Sequence, residues 1–131
     1  MLAVILGEPG SEQVRALIRG GACVASTVNI SEVVAKLAER GASREELDAG
    51  IGALGVAAVP FIETDAFVAG MLRSSTRAAG LSFADRACIA LAVRLDARVV
   101  TADRGFQRVQ LPIPVELVRS PQVPEDGPTT R

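Results

Sequence analysis

The sequence predicts an α/β fold in which helices pack against a parallel sheet. Short, wholly apolar runs alternate along the chain with segments that have helical periodicity or helix caps, as in proteins whose strands are joined by right-handed helical crossovers. Hydrophobic residues make up 49% of the chain and aromatic residues only 3%, which points to a core of Ala, Val, Leu and Ile. Such a core is typical of helices on a buried parallel sheet. With 131 residues, the chain is long enough for one domain with a sizeable core.

The N-terminal half of the chain alternates predicted strands with predicted helices. The three strands are the apolar runs at residues 1–6, 22–28 and 56–62. Pro60 places the last run at an edge or an end of a strand. Because short polar side chains cap helix N-termini, the helices should begin at Ser11, Asn29 and Ser43.

The C-terminal half continues this alternation. A long helix is predicted from Thr64 or Asp65 to about Ala79, with Gly80 ending it. The remaining elements are a helix at residues 82–95, a strand at 98–101, a helical turn at 103–108 and a strand at 115–118. Residues 120–131 contain three prolines and almost no apolar residues. We therefore predict a folded domain at residues 1–119 and a disordered tail at 120–131.

The composition excludes several classes of function. The chain has no His, Tyr or Trp, which excludes His general bases, His metal ligands and base stacking on Trp or Tyr. Cys23 and Cys88 lie in apolar contexts without C-x-x-C spacing, so both should be reduced core residues of a cytosolic protein. No apolar run reaches the roughly 18 residues of a membrane span. We expect a cytoplasmic protein without membrane contact, whose net charge of −1 confines any nucleic-acid binding to a local patch.

Three carboxylates occupy comparable positions in this pattern. Glu32 is expected in the first turn of the helix after a strand, Asp85 in the first turn of its own helix, and Asp103 directly after a strand. Each acid also has a purely structural interpretation. Asn29 with Glu32, and Ser82 with Asp85, both fit a capping box, and Asp103 fits the cap of a short helix. Taken singly, the acids indicate no particular function.

Taken together, the three acids predict a metal site. Open α/β sheets bind ligands at the carboxyl ends of their strands. Clustered carboxylates repel one another unless a cation offsets their charge. An oxygen-only ligand set, without His or paired Cys, selects Mg²⁺ or Mn²⁺ over zinc. Because such ions activate water and neutralise a leaving oxyanion, the predicted chemistry is hydrolysis of a phosphodiester.

Three motifs occur in order along the chain. They are Asn29-x-x-Glu32, Leu81-Ser82-x-x-Asp85-Arg86-Ala87 and Thr101-Ala102-Asp103, preceded by the loop Gly7-Glu8-Pro9-Gly10. In order and separation they resemble motifs of the PIN-domain ribonucleases, in particular the VapC toxins of bacterial toxin–antitoxin pairs. The resemblance spans roughly residues 1–119.

This resemblance implies a fold, a reaction and partners. The fold is a PIN-like parallel sheet flanked by helices in three α/β/α layers, and the reaction is cleavage of RNA by a Mg²⁺- or Mn²⁺-dependent endoribonuclease. By position, Glu32, Asp85 and Asp103 become catalytic metal ligands, whereas Ser82 and Thr101 become hydroxyls that orient the carboxylates. The implied partners are RNA, a cognate VapB-like antitoxin and a second copy of the chain in a homodimer.

One acid of the family has no counterpart in the sequence. In the family an Asp stands at the end of the first strand, whereas this sequence starts there with Met1-Leu2-Ala3-Val4. Loss of most of a central strand would leave backbone groups of its neighbours unpaired. We therefore expect the natural protein to have a short N-terminal extension that supplies the Asp. The alternative is an impaired PIN-like domain that only binds its partner.

Basic and apolar side chains suggest binding surfaces. Arg86 and Arg104 flank two of the acids and are predicted to contact RNA phosphates, with ordinary helix-surface positions as the alternative. Arg73 and Arg77 are spaced like a phosphate-binding pair, although a solvated helix face is the favoured interpretation. The region that binds the antitoxin in VapC-like proteins corresponds to the stripe Val33, Val34 and Leu37 with the helix at 43–54, for which core packing is the alternative.

Two other phosphate chemistries fit the sequence less well. A receiver-type phosphoacceptor domain needs a basic residue, usually Lys, after a late strand, whereas the one Lys of the sequence is Lys36 in an early helix. A haloacid-dehalogenase-type phosphatase needs an Asp-x-Asp motif, which the sequence lacks. The stronger rival to the nuclease is therefore the protein-binding domain without catalysis.

Overall fold

The computed structural model describes residues 15–16, 18–19 and 23–118. Several predictions lie outside these ranges: the strand at 1–6, the loop at 7–10, the missing N-terminal acid, the domain limit at 119 and the tail at 120–131. The helix predicted to begin at Ser11 is described only at four positions, which are helical: Arg15, Ala16, Ile18 and Arg19.

The strands of the structure form parallel pairs. They are β1 (Val24–Ser26), β2 (Ala57–Val59), β3 (Val99–Thr101) and β4 (Val115–Leu117). Strand β1 pairs with β2, with Val24 opposite Ala57, and β3 pairs with β4, with Val99 opposite Val115. Within the described ranges, each pair is a two-stranded sheet. The parallel pairing predicted from the apolar runs is confirmed, although each hydrogen-bonded strand is shorter than its run.

Helices connect and cover these strands. They are α1 (Thr27–Glu39), α2 (Arg44–Ala53), α3 (Glu63–Met71), α4 (Arg73–Thr76) and α5 (Phe83–Leu95), followed by a 3₁₀ helix (Arg104–Gln107). Three predicted caps are confirmed: Ser43 caps α2, Ser82 caps α5 and Asp103 caps the 3₁₀ helix. Among the helices described, none combines the length and the apolar character needed to cross a membrane.

The predicted start of α1 at Asn29 is wrong. The N-cap is Ser26, whose hydroxyl accepts a hydrogen bond from the backbone N–H of Val28 at 3.1 Å. The helix therefore begins at Thr27, directly after β1. Asn29 lies inside the first turn, where its side chain is free to contact another element.

The long helix predicted at residues 64–79 is interrupted at Leu72. Helix α3 ends before this residue and the short helix α4 follows it. The Leu72 carbonyl accepts hydrogen bonds from the hydroxyls of Ser75, at 3.2 Å, and Thr76, at 2.7 Å, and hydroxyl bonds of this kind bend helices. Gly80, predicted to end the helix, has a φ of 76°, which favours glycine.

Helix α5 is the centre of the described fold. Seven of its 13 residues are buried, so it is enclosed on more than one side. It packs against α1, α3, β1 and β3. Ile89 of α5 is fully buried in one apolar cluster with Val99 of β3 and Phe106 of the 3₁₀ helix. This packing fixes the first turn of α5, which carries Asp85, relative to both strand pairs.

An ion pair joins the C-terminal end of α5 to α3. The Arg94 side chain donates two hydrogen bonds of 2.9 Å to the Asp65 carboxylate and a third, of 3.0 Å, to the carbonyl of Pro60. Asp65 is 2% exposed and also accepts a bond from the backbone N–H of Ile62 at 3.1 Å. The Arg94 guanidinium holds the pKa of the Asp65 carboxyl below its ordinary value. The pair is therefore charged at neutral pH.

The two cysteines are free and half-buried. Burial raises the pKa of the Cys88 thiol to about 11, so this residue is a neutral thiol at physiological pH and a poor nucleophile. Cys88 packs against the apolar cluster around Ile89. This environment fits the structural role predicted for Cys88.

Candidate functional site

Asp85 lies in the first turn of α5 and takes part in the predicted capping box. Its Oδ2 accepts a hydrogen bond from the backbone N–H of Ser82 at 2.8 Å, and the Ser82 hydroxyl accepts one from the N–H of Asp85 at 3.2 Å. The second carboxylate oxygen, Oδ1, accepts no bond from the residues that the structure describes. Asp85 can therefore cap the helix with one oxygen and bind a ligand with the other.

Asp103 has the same arrangement after strand β3. Its Oδ1 accepts a hydrogen bond from the backbone N–H of Gly105 at 2.8 Å, which caps the 3₁₀ helix. The Thr101 hydroxyl accepts a bond from the N–H of Asp103 at 3.0 Å. Oδ2 has no hydrogen-bond donor within the described part of the chain. Asp103 is exposed, so this oxygen is accessible to a ligand.

Ser82 and Thr101 act on the backbone of these acids. Each hydroxyl accepts a hydrogen bond from a backbone N–H, that of Asp85 or that of Asp103. The family resemblance implies that both hydroxyls orient the carboxylates. In this structure they fix the backbone from which each carboxylate projects, and the backbone N–H groups of Ser82 and Gly105 hold the carboxylates.

Glu32 lies one turn further into its helix than predicted. Because α1 begins at Thr27, Glu32 is in the second turn, and the predicted capping box with Asn29 does not form. The side chain is half-buried, and no hydrogen bond or ion pair joins it to the residues described. Both carboxylate oxygens of Glu32 are thus available to a ligand.

Asn29 connects the helix of Glu32 to the helix of Asp85. Its Nδ2 donates a hydrogen bond to the carbonyl of Ala84 at 3.0 Å. Its Oδ1 is buried, and the described residues offer it no donor. The sequence does not indicate this contact, although Asn29 is part of a motif.

Replacing Asn29 with Asp should destabilise the protein more than replacing it with Ala. Asn29→Ala removes one hydrogen bond, at about 1 kcal/mol, whereas Asn29→Asp places a carboxylate against the Ala84 carbonyl, at about 2–3 kcal/mol. Denaturant titration at neutral pH measures both changes. Thr27→Val is the matched control, since the Thr27 hydroxyl accepts one hydrogen bond of 3.1 Å from the N–H of Phe61. The free energy of unfolding should fall by a similar amount in Thr27→Val and in Asn29→Ala. An Asp variant as stable as the Ala variant would contradict the assignment.

The two arginines predicted to contact RNA differ in exposure. Arg86 is 8% exposed, and its Nη1 donates a hydrogen bond of 2.9 Å to the carbonyl of Ala69. That carbonyl belongs to the last turn of α3, where backbone acceptors lack helical partners. The Arg86 guanidinium also lies 5.7 Å from the centre of the Phe83 ring. We therefore reassign Arg86 to helix packing, whereas Arg104 is exposed, as RNA contact requires.

The three carboxylates have the chemistry of a Mg²⁺ or Mn²⁺ ligand set. All their donors are oxygens, as these ions prefer, and each acid keeps an oxygen without a described partner. In the ranges that the structure describes, no three Asp, Glu or Cys side chains are grouped closely enough to hold a metal ion. The convergence of Glu32, Asp85 and Asp103 on one ion therefore stays a prediction.

Comparison with known proteins identifies the fold. The family model of the PIN domain matches residues 1–111. A similar solved structure is that of VapBC2 from Rickettsia felis bound to a DNA fragment from their promoter, with a TM-score of 0.60, 20% sequence identity, and coverage of 88% of this chain and 90% of that chain. No match was found among curated proteins. The structural similarity confirms the predicted three-layer α/β/α fold with a parallel sheet.

Proposed function

Because the chain belongs to the PIN-domain family, whose model matches residues 1–111, we propose that it is a VapC-type toxin that cleaves RNA. The reaction is hydrolysis of phosphodiester bonds by a Mg²⁺- or Mn²⁺-dependent endoribonuclease. One observation carries this proposal. Asp85 and Asp103 each cap a helix with one carboxylate oxygen and keep the other without a described partner, so both acids are held in place and still able to bind a cation.

The residues of the chain have separate tasks in this proposal. Glu32, Asp85 and Asp103 would hold the divalent ion through their oxygens. When bound, such an ion polarises a phosphoryl oxygen and lowers the pKa of an attacking water. The backbone N–H groups of Ser82 and Gly105 restrict the rotation of the Asp85 and Asp103 carboxylates, which reduces the entropy lost on binding.

The proposed partners are a VapB-like antitoxin and a second copy of the chain. The similar structure from Rickettsia felis is a VapBC complex, which supports an antitoxin partner for this chain. The apolar stripe predicted to bind the antitoxin divides in two: Val33 is 2% exposed and belongs to the core, whereas Val34 and Leu37 are half-buried. Val34 and Leu37 are therefore the residues of α1 that we assign to the antitoxin contact. We propose that the complex and its RNA target meet in the cytoplasm.

RNA cleavage by the purified protein tests the nuclease proposal. A labelled RNA should be cut in millimolar Mn²⁺ or Mg²⁺ and left intact in EDTA. The second candidate function is a domain that binds its partner without catalysis. The observation favouring it is that the described residues include no group of three metal-binding side chains. Intact RNA in both conditions, together with tight antitoxin binding, would select this second function.

Divalent metal should also raise the melting temperature. An ion that binds only the folded state stabilises it by about 2.7 kcal/mol at a concentration 100 times its dissociation constant. We expect millimolar Mn²⁺ to raise Tm by several degrees at low salt, and Glu32→Gln to reduce this shift. Thermal unfolding with Mn²⁺, and with Ca²⁺ as a comparison ion, measures the effect. A melting temperature that does not respond to Mn²⁺ would count against an intact metal site.

A further inference from the structure

We propose that four exposed arginines form one surface that binds the phosphates of single-stranded RNA beside Asp85 and Asp103. The arginine surface consists of Arg73, Arg77, Arg104 and Arg108. This inference rests on the proposed nuclease function and names the part of the chain that holds its substrate. It revises the sequence-based interpretation of Arg73 and Arg77 as an ordinary solvated face.

Two segments that are distant in sequence lie against each other here. A Cβ atom added to Gly105 of the 3₁₀ helix would lie 2.8 Å from the carbonyl oxygen of Ala79 and 3.3 Å from the side chain of Leu81. Phe106, Ala79 and Leu81 also share one buried cluster. The 3₁₀ helix is thus packed closely on the turn that leads from α4 to α5.

The four arginines are exposed residues of these two packed segments. In the first segment, Thr76, Ala79 and Leu81 are buried, whereas Arg73 and Arg77 are exposed. In the second segment, the residues Gly105 and Phe106 are buried between the exposed residues Arg104 and Arg108. Among the residues described, none of these four arginines has an ion-pair or side-chain hydrogen-bond partner. All four guanidinium groups are therefore available to a ligand.

The charge of the two segments differs from that of the whole chain. Residues 66–84 and 104–115 contain the four arginines and no Asp or Glu, although the chain has a net charge of −1. The first segment ends directly before Asp85, and the second begins directly after Asp103. Along the sequence, each basic segment thus adjoins one of the acids proposed to hold the metal.

The chemistry favours RNA over an acidic protein segment as the ligand. A phosphodiester must approach Asp85 and Asp103 against their negative charge, and adjacent cations offset this repulsion. The guanidinium group binds phosphate oxygens through two parallel hydrogen bonds. Single strands also bend and splay more readily than duplexes, which lets one strand follow a curved surface.

A matched pair of double variants tests the arginine surface. Arg77→Gln with Arg104→Gln removes one arginine from each segment. Arg19→Gln with Arg40→Gln removes the same charge from two exposed positions outside the arginine surface. Binding of a short fluorescent single-stranded RNA is measured by anisotropy in EDTA, which prevents cleavage, over a series of salt concentrations.

We expect the first variant to bind RNA about tenfold more weakly than the wild type, with the control unchanged. The slope of log K against log salt should fall by about 1.4, since each phosphate contact on a single strand contributes about 0.7. Equal losses in both variants, no loss in either, or no RNA binding by the wild type would overturn the inference. Unchanged RNA binding with weakened antitoxin binding would overturn it too, because the surface would then serve the protein partner.

These binding data, combined with the cleavage assay in Mn²⁺ or Mg²⁺, separate this inference from the nuclease proposal. If the Arg77/Arg104 variant loses RNA affinity while the wild type shows no Mn²⁺-dependent cleavage, the surface stands and the nuclease proposal fails. If the wild type cleaves RNA and the variant binds it as tightly as the wild type, the nuclease proposal stands and the surface fails.

Discussion

Replacing Asp85 with Asn should reduce metal-dependent RNA cleavage about 100-fold or more and leave the fold intact. A divalent ion stabilises transition-state charge by several kcal/mol, and each 1.4 kcal/mol is a factor of ten in rate. Asn keeps a side-chain oxygen that can accept the hydrogen bond from Ser82, now 2.8 Å long, so α5 stays capped. Cleavage rates of a labelled RNA in saturating Mn²⁺, with the melting temperature of each protein, measure the two effects.

Glu46→Gln is the matched control for Asp85→Asn. Glu46 accepts a hydrogen bond of 2.8 Å from the N–H of Ser43 in the capping box of α2. The chemical change is the same, carboxylate to amide in a helix cap, but it is remote from the candidate site. The control should cleave RNA at the wild-type rate. Equal losses would assign the effect to helix capping, and full activity of the Asp85 variant would remove Asp85 from the site.

Replacing Asp65 with Ala should lower the free energy of unfolding by about 2–3 kcal/mol. The change leaves the Arg94 guanidinium without its two carboxylate acceptors and the N–H of Ile62 without its acceptor. Removing one partner of a buried ion pair costs about 3–5 kcal/mol. Here the Arg94 side chain is 28% exposed, so water can hydrate the remaining charge and reduce the loss. Denaturant titration at neutral pH measures it.

An exposed pair provides the comparison. Arg44 and Asp48 lie 3.2 Å apart, with side chains that are 86% and 67% exposed. Because water screens such pairs, Asp48→Ala should change the free energy of unfolding by no more than about 0.5 kcal/mol. If Asp48→Ala and Asp65→Ala lower the free energy of unfolding by similar amounts, burial of the Asp65 pair adds nothing to stability.

The effect of Asp65 should depend on pH. Its folded-state pKa is lowered from the ordinary value of 3.8, so its contribution to stability is fully present above pH 3.8. That contribution is lost as the pH falls from 3.8 through the lowered folded-state value. The stabilities of the wild type and the Asp65→Ala variant should therefore approach each other in acid. A difference that stays constant into strong acid would contradict this assignment.

The local parts of the fold and of the candidate site could be predicted from the sequence. The capping box of Ser82 and Asp85 and the cap at Asp103 depend on residues two or three positions apart, so the sequence alone specifies them. The start of α1 is different, because Ser26 and Asn29 are both good caps. Ser26 is the N-cap because β1, which pairs with β2, extends as far as Ser26, so the helix begins directly after it.

Contacts between distant elements could not be predicted in this way. The amide of Asn29 binds the Ala84 carbonyl, 55 residues away, and no local pattern indicates this pairing. Arginine is a residue type that usually lies on the protein surface. Arg86 nevertheless faces inward, because the end of α3 offers the free carbonyl of Ala69 as an acceptor. The arginine surface likewise depends on the packing of Gly105 against Ala79.

The burial of helix α5 also affects how rarely local opening of the fold displaces Asp85 of the candidate site. It is enclosed by α1, α3, β1 and β3, and Asp65 holds its last turn through Arg94. Backbone amides in such a central helix exchange with solvent only when the whole domain opens, whereas amides in peripheral segments exchange through small local openings. We therefore expect the buried central turns of α5 to exchange slowly, and the first turn, which carries Asp85, is joined directly to them. The position of Asp85 should persist through the fluctuations that release more peripheral segments.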